Sequence, residues 1–188
     1  METYQSETVH QPQVNFVREG VRIGIINGVI ALVLMYGTYF VGLNAFVTTQ
    51  FVAVFIPYMI LILIIYGLQL RKRNGDYMAF KDGLQFTFMS YIISGLVIAV
   101  GTYILYNIVD KTLTQRSFEA GLQNTRSFLQ NLGAKPEDID KEIDKIGSAP
   151  KDTGVKNIVL GYGTGLIWDF IKSLLITLVI RKEKPAYS

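Results

Sequence analysis

The sequence predicts an all-α fold: a four-helix transmembrane bundle with a helical loop outside the membrane between the third and fourth spans. Two observations lead to this prediction. Half of the 188 residues are hydrophobic, and the apolar residues gather in four runs, 21–43, 51–70, 85–108 and 158–180. A bilayer core about 30 Å thick is crossed by roughly 20 apolar helical residues. We therefore number these runs spans 1 to 4. A polar tail over residues 1–20 precedes one membrane domain over residues 21–184.

The first two spans are predicted to form an antiparallel hairpin, because the link over residues 44–50 is short and carries no charge. Pro57 is the one irregularity in span 2. Proline removes a helical hydrogen bond, so we expect a bend inside this helix, serving packing rather than gating. The basic run from Arg71 to Arg73 then ends the span.

The loop over residues 109–157 holds eight basic and eight acidic residues and is predicted to be helical. Its apolar residues recur at helical spacing, which predicts one helix near 112–132 and another near 136–146. They are Phe118, Leu122, Leu129 and Leu132 in the first helix, and Ile139, Ile143 and Ile146 in the second. These apolar faces could cap the bundle, lie on the membrane surface or bind a partner. We expect packing within the chain.

The orientation follows from basic residues that directly abut apolar ends. Arg71–Arg73 follow span 2, and Arg181, Lys182 and Lys184 follow span 4. Positive charge next to a span favours the cytoplasmic side. We therefore expect both termini in the cytoplasm and the long loop on the other side.

Span 4 carries two charges, Asp169 and Lys172, near its midpoint. Each costs about 2.5–3.5 kcal/mol at the centre of a span, and the cost of the two together roughly cancels the total of about 6 kcal/mol that the apolar residues of the span return. Three residues apart on one helix, the two side chains can neutralise each other. The pair has three interpretations: a structural role in the bundle, a transport or proton-relay role, and contact with a partner membrane protein. We favour the structural role.

Small residues share a face with these charges. Gly161 and Gly165 lie on the same stripe of span 4 as Asp169 and Lys172. Span 1 has a matching stripe, which contains Gly24, Asn27 and Gly28. Because small residues let helices approach closely, we predict that spans 1 and 4 pack through these stripes. Asn27 is then the expected polar partner of Lys172, with Ser90, Tyr91 and Ser94 of span 3 as the next candidates.

Several classes of function are not favoured. The chain has no cysteine and one histidine, so thiolate and multi-histidine metal sites are excluded, and we expect no metal and no cofactor. No catalytic motif is present, so we expect a protein that is not an enzyme. The net charge is only +3, and the basic residues lie next to the apolar spans. This pattern argues against nucleic acid as a partner. Arg71, Lys72 and Arg73 could bind anionic lipid headgroups, although an ordinary stop-transfer flank explains them better.

The segment from Arg71 to Gly83 carries a family resemblance. The run Arg71-Lys72-Arg73 is followed by Gly75-Asp76-Tyr77-Met78-Ala79-Phe80-Lys81-Asp82-Gly83, a third span, a charged helical loop and a fourth span ending in Arg181-Lys182. This layout, over about residues 15–184, resembles a bacterial integral-membrane family known as domain of unknown function 4199. The resemblance implies a four-span protein of the inner membrane and implies no activity.

Two functions remain open at this point. The first is a non-enzymatic interaction or scaffold protein, acting with a membrane-protein partner or as a homo-oligomer. The alternative is a small transporter or channel subunit that uses Asp169 and Lys172. A water-filled cavity that reaches the pair would favour transport, and dry contact with neighbouring helices would favour architecture.

Overall fold

The computed structural model describes residues 14–53, 56–147 and 153–184. Within these ranges the chain is α-helical and contains no β-strand. The helices are α1 (Phe16–Val41), α2 (Leu43–Ala53), α3 (Tyr58–Arg73), α4 (Phe80–Ile104), α5 (Leu113–Asn131), α6 (Pro136–Gly147) and α7 (Val155–Ile180), with a π-helical turn at Leu105–Val109 after α4. The predicted all-α class is confirmed.

Within the described ranges, three helices are each long and apolar enough to cross a membrane: α1, α7, and α4 extended by the π-helical turn. Helices α2 and α3 pass the same test only as a pair, and they are inclined to each other by 54°. The chain is therefore a multi-pass membrane protein, and its described part holds three such helices, or four spans if the bent pair makes one crossing. Helix α3 alone is about 24 Å long, less than the thickness of the hydrocarbon core.

The hairpin between spans 1 and 2 differs from the prediction in two places. The turn lies at Gly42, whose φ of 140° favours glycine, and the predicted link over residues 44–50 belongs to α2. Pro57 does not bend the inside of a helix but precedes the first residue of α3. The physical reason is that proline lacks an amide hydrogen, which the start of a helix does not need.

Helix α1 packs most extensively on α4, through its small residues. A Cβ at Gly24 would lie 2.7 Å from the carbonyl oxygen of Ser90, and one at Gly28 would lie 2.7 Å from the Cβ of Val97. Glycine is thus required at both positions for this approach. Gly24 and Gly28 do serve helix packing, but their partner is α4 and not α7.

The predicted packing of span 1 on span 4 was therefore wrong. Helix α7 packs on α4 and α3, and among the described residues no atom outside their own helix lies within 4 Å of a Cβ built at Gly161 or Gly165. Hydroxyl groups join α7 to α4 instead. The Oγ1 atoms of Thr87 and Thr177 lie 3.2 Å apart, and both side chains are fully buried. Such bonds hold helices together where water is absent.

One end of the bundle, which we name the basic end, gathers the start of α1, the end of α3, the loop to α4 and the end of α7. Tyr66 donates a 2.7 Å hydrogen bond to Glu19, and Arg73 lies 3.4 Å from the same carboxylate. Met78 and Lys182 pair through two backbone hydrogen bonds of 2.8 and 2.9 Å. The ends of α1, α3 and α7 are thereby held together.

The loop between α3 and α4 is also fixed by Asp76. This residue pairs with Lys182 and with Arg71, and its φ of 64° is a left-handed conformation that aspartate tolerates. The hydrogen bond from the Lys182 ammonium group lowers the pKa of the Asp76 carboxyl below its ordinary value of 3.8. A carboxyl whose pKa is lowered by folding stabilises the fold at pH values above its unfolded pKa.

We expect Asp76→Asn to lower the free energy of unfolding at pH 7 and to have less effect at acidic pH. The contribution of the carboxylate is fully present above about pH 4 and is lost as the pH falls through its lowered pKa. Thermal unfolding of wild type and variant in detergent at pH 7 and pH 3 measures the difference. Asp144→Asn, at an exposed position of α6, is the control. The expectation would be contradicted if Asp76→Asn lowered the unfolding temperature by the same amount at pH 7 and at pH 3.

The opposite end, which we name the loop end, carries α5 and α6. The predicted helices near 112–132 and 136–146 match α5 and α6 closely. Helix α5 packs on α2, where the rings of Phe51 and Phe128 meet edge to face at 5.6 Å. Tyr39, near the end of α1, donates a 3.3 Å hydrogen bond to Asp110. The loop thus packs against its own bundle, as expected.

Candidate functional site: an intramembrane cavity at the helix break

Asp169 and Lys172 form an ion pair within α7. The Lys172 Nζ atom lies 2.6 Å from an Asp169 oxygen, and the side chains are 40% and 20% exposed, respectively. At 1.5 Å per residue, Asp169 lies about 16 Å from the end of α7 at Ile180. The pair therefore sits near the middle of this helix, far from either end.

The cationic partner of the pair also rests on an aromatic ring of α4. The Lys172 ammonium group lies 4.8 Å from the centroid of Tyr91, within the range of a cation–π contact. Tyr91, one of the span 3 candidates from the sequence, is thus brought to Lys172. The spacing of Asp169 and Lys172 along one helix explains their ion pair. The packing of α4 on α7 brings the Tyr91 ring to the Lys172 ammonium group.

A cavity of about 450 Å³ reaches this pair. Three separate parts of the chain line it: the ends of α2 and α3 around their break (residues 53 and 56–60), one face of α4 (Tyr91, Ser94, Gly95, Ile98) and α7 (Asp169, Lys172). Its volume is within the range of small-molecule sites. Pro57 and its described neighbours between α2 and α3 thus form one wall of the cavity.

Two buried polar groups of this lining have no hydrogen-bond partner among the residues that the structure describes. They are the Tyr91 hydroxyl and the Ser94 hydroxyl. Tyr91 is 4% exposed and Ser94 is 1% exposed. Buried polar groups in native proteins are nearly always hydrogen-bonded. Two such groups thus lie beside one cavity.

The first turn of α3 adds backbone donors to the same cavity. No side chain within the described ranges caps this helix, and the residues of its first turn, Tyr58, Met59 and Ile60, line the cavity. Amide groups in a first turn lack acceptors in their own helix and carry the positive end of its dipole, although the Tyr58 amide donates to the Ile56 carbonyl at 2.8 Å. The sequence signal for this feature is Pro57, which is compatible with a kink as well as with a helix start.

Asn27 does not join the site, and its predicted pairing with Lys172 was wrong. It is fully buried on α1, and its amide nitrogen and oxygen have no hydrogen-bond partner within the part of the chain that the structure describes. Asn27 of α1 does not meet Lys172 of α7 because both helices pack on α4. Ser90 is not part of the described lining of the cavity either, and its hydroxyl donates to the Phe86 carbonyl at 2.8 Å.

The three basic residues after span 2 lie at the basic end, away from this cavity. Arg71 donates to the Ile180 carbonyl at 3.2 Å and pairs with Asp76, while Arg73 pairs with Glu19. Lys72 is exposed. Arg71 and Arg73 therefore connect helices, and binding of lipid headgroups stays a prediction, with Lys72 as its most available group.

Across the residues with described structure, no group of three or more histidine, cysteine, aspartate or glutamate side chains could hold a metal ion.

A family model described as Protein of unknown function (DUF4199) matches residues 22–182. The chain belongs to this family. The DUF4199 match extends over α2 to α7 and most of α1 and confirms the resemblance seen around Arg71–Gly83. No curated protein and no solved structure matches the chain.

Proposed function

We propose that this DUF4199 protein crosses the bacterial inner membrane four times, with α2 and α3 together as a broken second span and both termini in the cytoplasm. The contacts at the two ends support this. The start of α1 meets the end of α3 through Glu19 and Arg73, which fits an even number of crossings between them. The end of α7 meets the loop before α4 through Lys182 and Met78.

Single cysteines test this topology, because the chain has none of its own. We expect a membrane-impermeant maleimide to label Gln123→Cys in intact spheroplasts, and to label Arg18→Cys, Lys72→Cys and Lys184→Cys only after permeabilisation. All four positions are exposed. Labelling of positions 18 and 72 on opposite sides would show that the bent pair is not a crossing. The reverse pattern at all four positions would overturn the orientation.

We also propose that the protein is not an enzyme but a small transporter or channel subunit that carries a polar solute past Asp169 and Lys172. One observation carries this proposal: the cavity at the helix break reaches the ion pair. Broken spans whose ends line a cavity near the membrane midplane are a recurring design of solute-binding sites in transporters. Ionisable residues inside a membrane commonly mark such pathways.

Uptake into proteoliposomes tests this function. We expect vesicles with the wild-type protein to take up at least one radiolabelled small solute, from a set of cationic, anionic, zwitterionic and neutral probes, at least 10-fold faster than protein-free vesicles. The double variant Asp169→Asn with Lys172→Met removes both charges without leaving one unpaired. We expect its uptake to fall to the protein-free rate.

A matched control comes from an exposed ion pair outside the spans. Arg126 and Asp140 lie 3.1 Å apart between α5 and α6, and Arg126→Met with Asp140→Asn should leave uptake unchanged. Equal uptake by wild type and the Asp169/Lys172 double variant would overturn the proposal, as would an absence of wild-type uptake for every class of probe.

A second candidate is a membrane interaction or scaffold protein, and one observation favours it. The outer half of α7 presents an unoccupied surface, because Gly161 and Gly165 have open space around them and Trp168 is 69% exposed. Small residues on such a face suit another helix, from a membrane-protein partner or a second copy. In this case the Asp169/Lys172 double variant would keep its association with that helix.

A further inference from the structure

We infer that the cavity at the helix break binds a small amphipathic zwitterion, an α-amino acid with an apolar side chain. This inference rests on the site of the proposed function and names the class of solute that the site would take. Three sets of groups around the cavity carry it: the opposite charges of α7, the amide groups in the first turn of α3, and the two hydroxyls of α4 that have no partner in the described ranges.

The two charges of α7 favour a ligand that carries both signs. Asp169 and Lys172 are 2.6 Å apart and both line the cavity. A ligand ammonium group on Asp169 and a ligand carboxylate on Lys172 would replace one ion pair by two and add no net charge to the membrane interior. A simple anion would face the Asp169 carboxylate, and a simple cation would face the Lys172 ammonium group. Each would therefore meet a like charge.

The start of α3 adds a place for the carboxylate. The helix is 16 residues long and lacks a side-chain cap among the described residues, and its first turn lines the cavity. First-turn amide groups and the helix dipole at such an end favour a negative group. The ligand carboxylate would therefore lie between Lys172 and the amides of Met59 and Ile60.

The buried hydroxyls of α4 give the ligand its remaining hydrogen-bond partners. Tyr91 and Ser94 line the cavity, and neither hydroxyl has a partner in the described ranges. The rest of the wall is largely apolar, with Ile56, Ile60 and Ile98 among its members. An α-amino acid with an aliphatic side chain can place its charged groups against the polar part of this wall and its side chain against the apolar part.

Binding to the full-length protein in detergent tests the inference with L-leucine as the probe. Two analogues each lack one charged group: 4-methylpentanoate has the carboxylate alone, and isoamylamine has the ammonium group alone. We expect saturable binding of radiolabelled leucine and at least a 10-fold lower affinity for each analogue in competition. Ser94→Ala and Tyr91→Phe each remove one hydroxyl, and we expect each to weaken binding by about 5-fold, as loss of one hydrogen bond does.

The charge variants complete the test. Asp169→Asn with Lys172→Met should abolish leucine binding, and Arg126→Met with Asp140→Asn should not change it. Absence of leucine binding to wild type, or equal affinity for leucine and both analogues, would overturn the inference. So would Ser94→Ala and Tyr91→Phe proteins that bind leucine as wild type does, and these two conservative variants serve if the charge variant fails to fold.

The outcome is separable from that of the proposed function. If vesicles take up another solute through Asp169 and Lys172 but leucine does not bind, the transport proposal stands and the zwitterion inference fails. If leucine binds as described but no probe is taken up, the zwitterion site stands and transport fails.

Discussion

Gly24→Leu is expected to destabilise the protein by about 3 kcal/mol, because a larger side chain cannot fit between α1 and α4. A Cβ at this position would lie 2.7 Å from the Ser90 carbonyl oxygen and 2.8 Å from the Ile93 Cβ atom. The first of these atoms belongs to a helix backbone and cannot move without shifting α4. Unfolding of the detergent-solubilised protein by sodium dodecyl sulfate, followed by circular dichroism, measures the loss.

The matched control is Gly165→Leu on α7. In the part of the chain with described structure, nothing outside its own helix lies within 4 Å of a Cβ built there, and leucine is the better helix former. We expect this variant to be at least as stable as wild type. If Gly165→Leu were as damaging as Gly24→Leu, the arrangement with α1 on α4 and a free face on α7 would be wrong.

Removing one charge of the Asp169–Lys172 pair is expected to cost more stability than removing both. Lys172→Met leaves the carboxylate without its partner at 2.6 Å, and Asp169→Asn leaves the ammonium group likewise. A lone charge at this depth costs about 2.5–3.5 kcal/mol on the insertion scale. Because both side chains are partly exposed, we expect about 2 kcal/mol for each single variant and less than about 1 kcal/mol for the double variant.

The same unfolding experiment measures all three variants, with Arg126→Met and Asp140→Asn as single-charge controls on the exposed pair. Exposed pairs contribute little, so the controls should change stability by less than about 0.5 kcal/mol. Additive losses from the two single changes at Asp169 and Lys172 would show that the charges do not depend on each other.

The helices could largely be predicted from the chain, and their contacts could not. The bounds of α5 and α6 followed from residues such as Phe118, Leu122 and Ile139, because helical periodicity is a local property. The partner of a small-residue stripe is not local. Gly24 in α1 and Gly165 in α7 lie on similar stripes, yet only Gly24 is in a close helix contact. A stripe of small residues shows which face of a helix allows a close approach. It does not show which other helix will pack there.

The candidate site divides in the same way. The bond between Asp169 and Lys172 was predictable, because residues three apart on a helix are neighbours. The cavity beside them was not, since Pro57 in a sequence is compatible with a kink or a helix start, and the choice depends on what packs around it.

By itself, the sequence determined that lipid surrounds this protein, which helices form and where opposite charges meet within one helix, because hydropathy, periodicity and spacing act over a few turns of chain. Only the tertiary structure decided that α4 lies between α1 and α7, and that Tyr91, Ser94 and the start of α3 surround the ion pair. The helices meet through segments 70 residues apart in places, as the hydrogen bond from the Tyr162 hydroxyl to the Ile92 carbonyl illustrates. Such contacts are selected by the fit of whole helix surfaces.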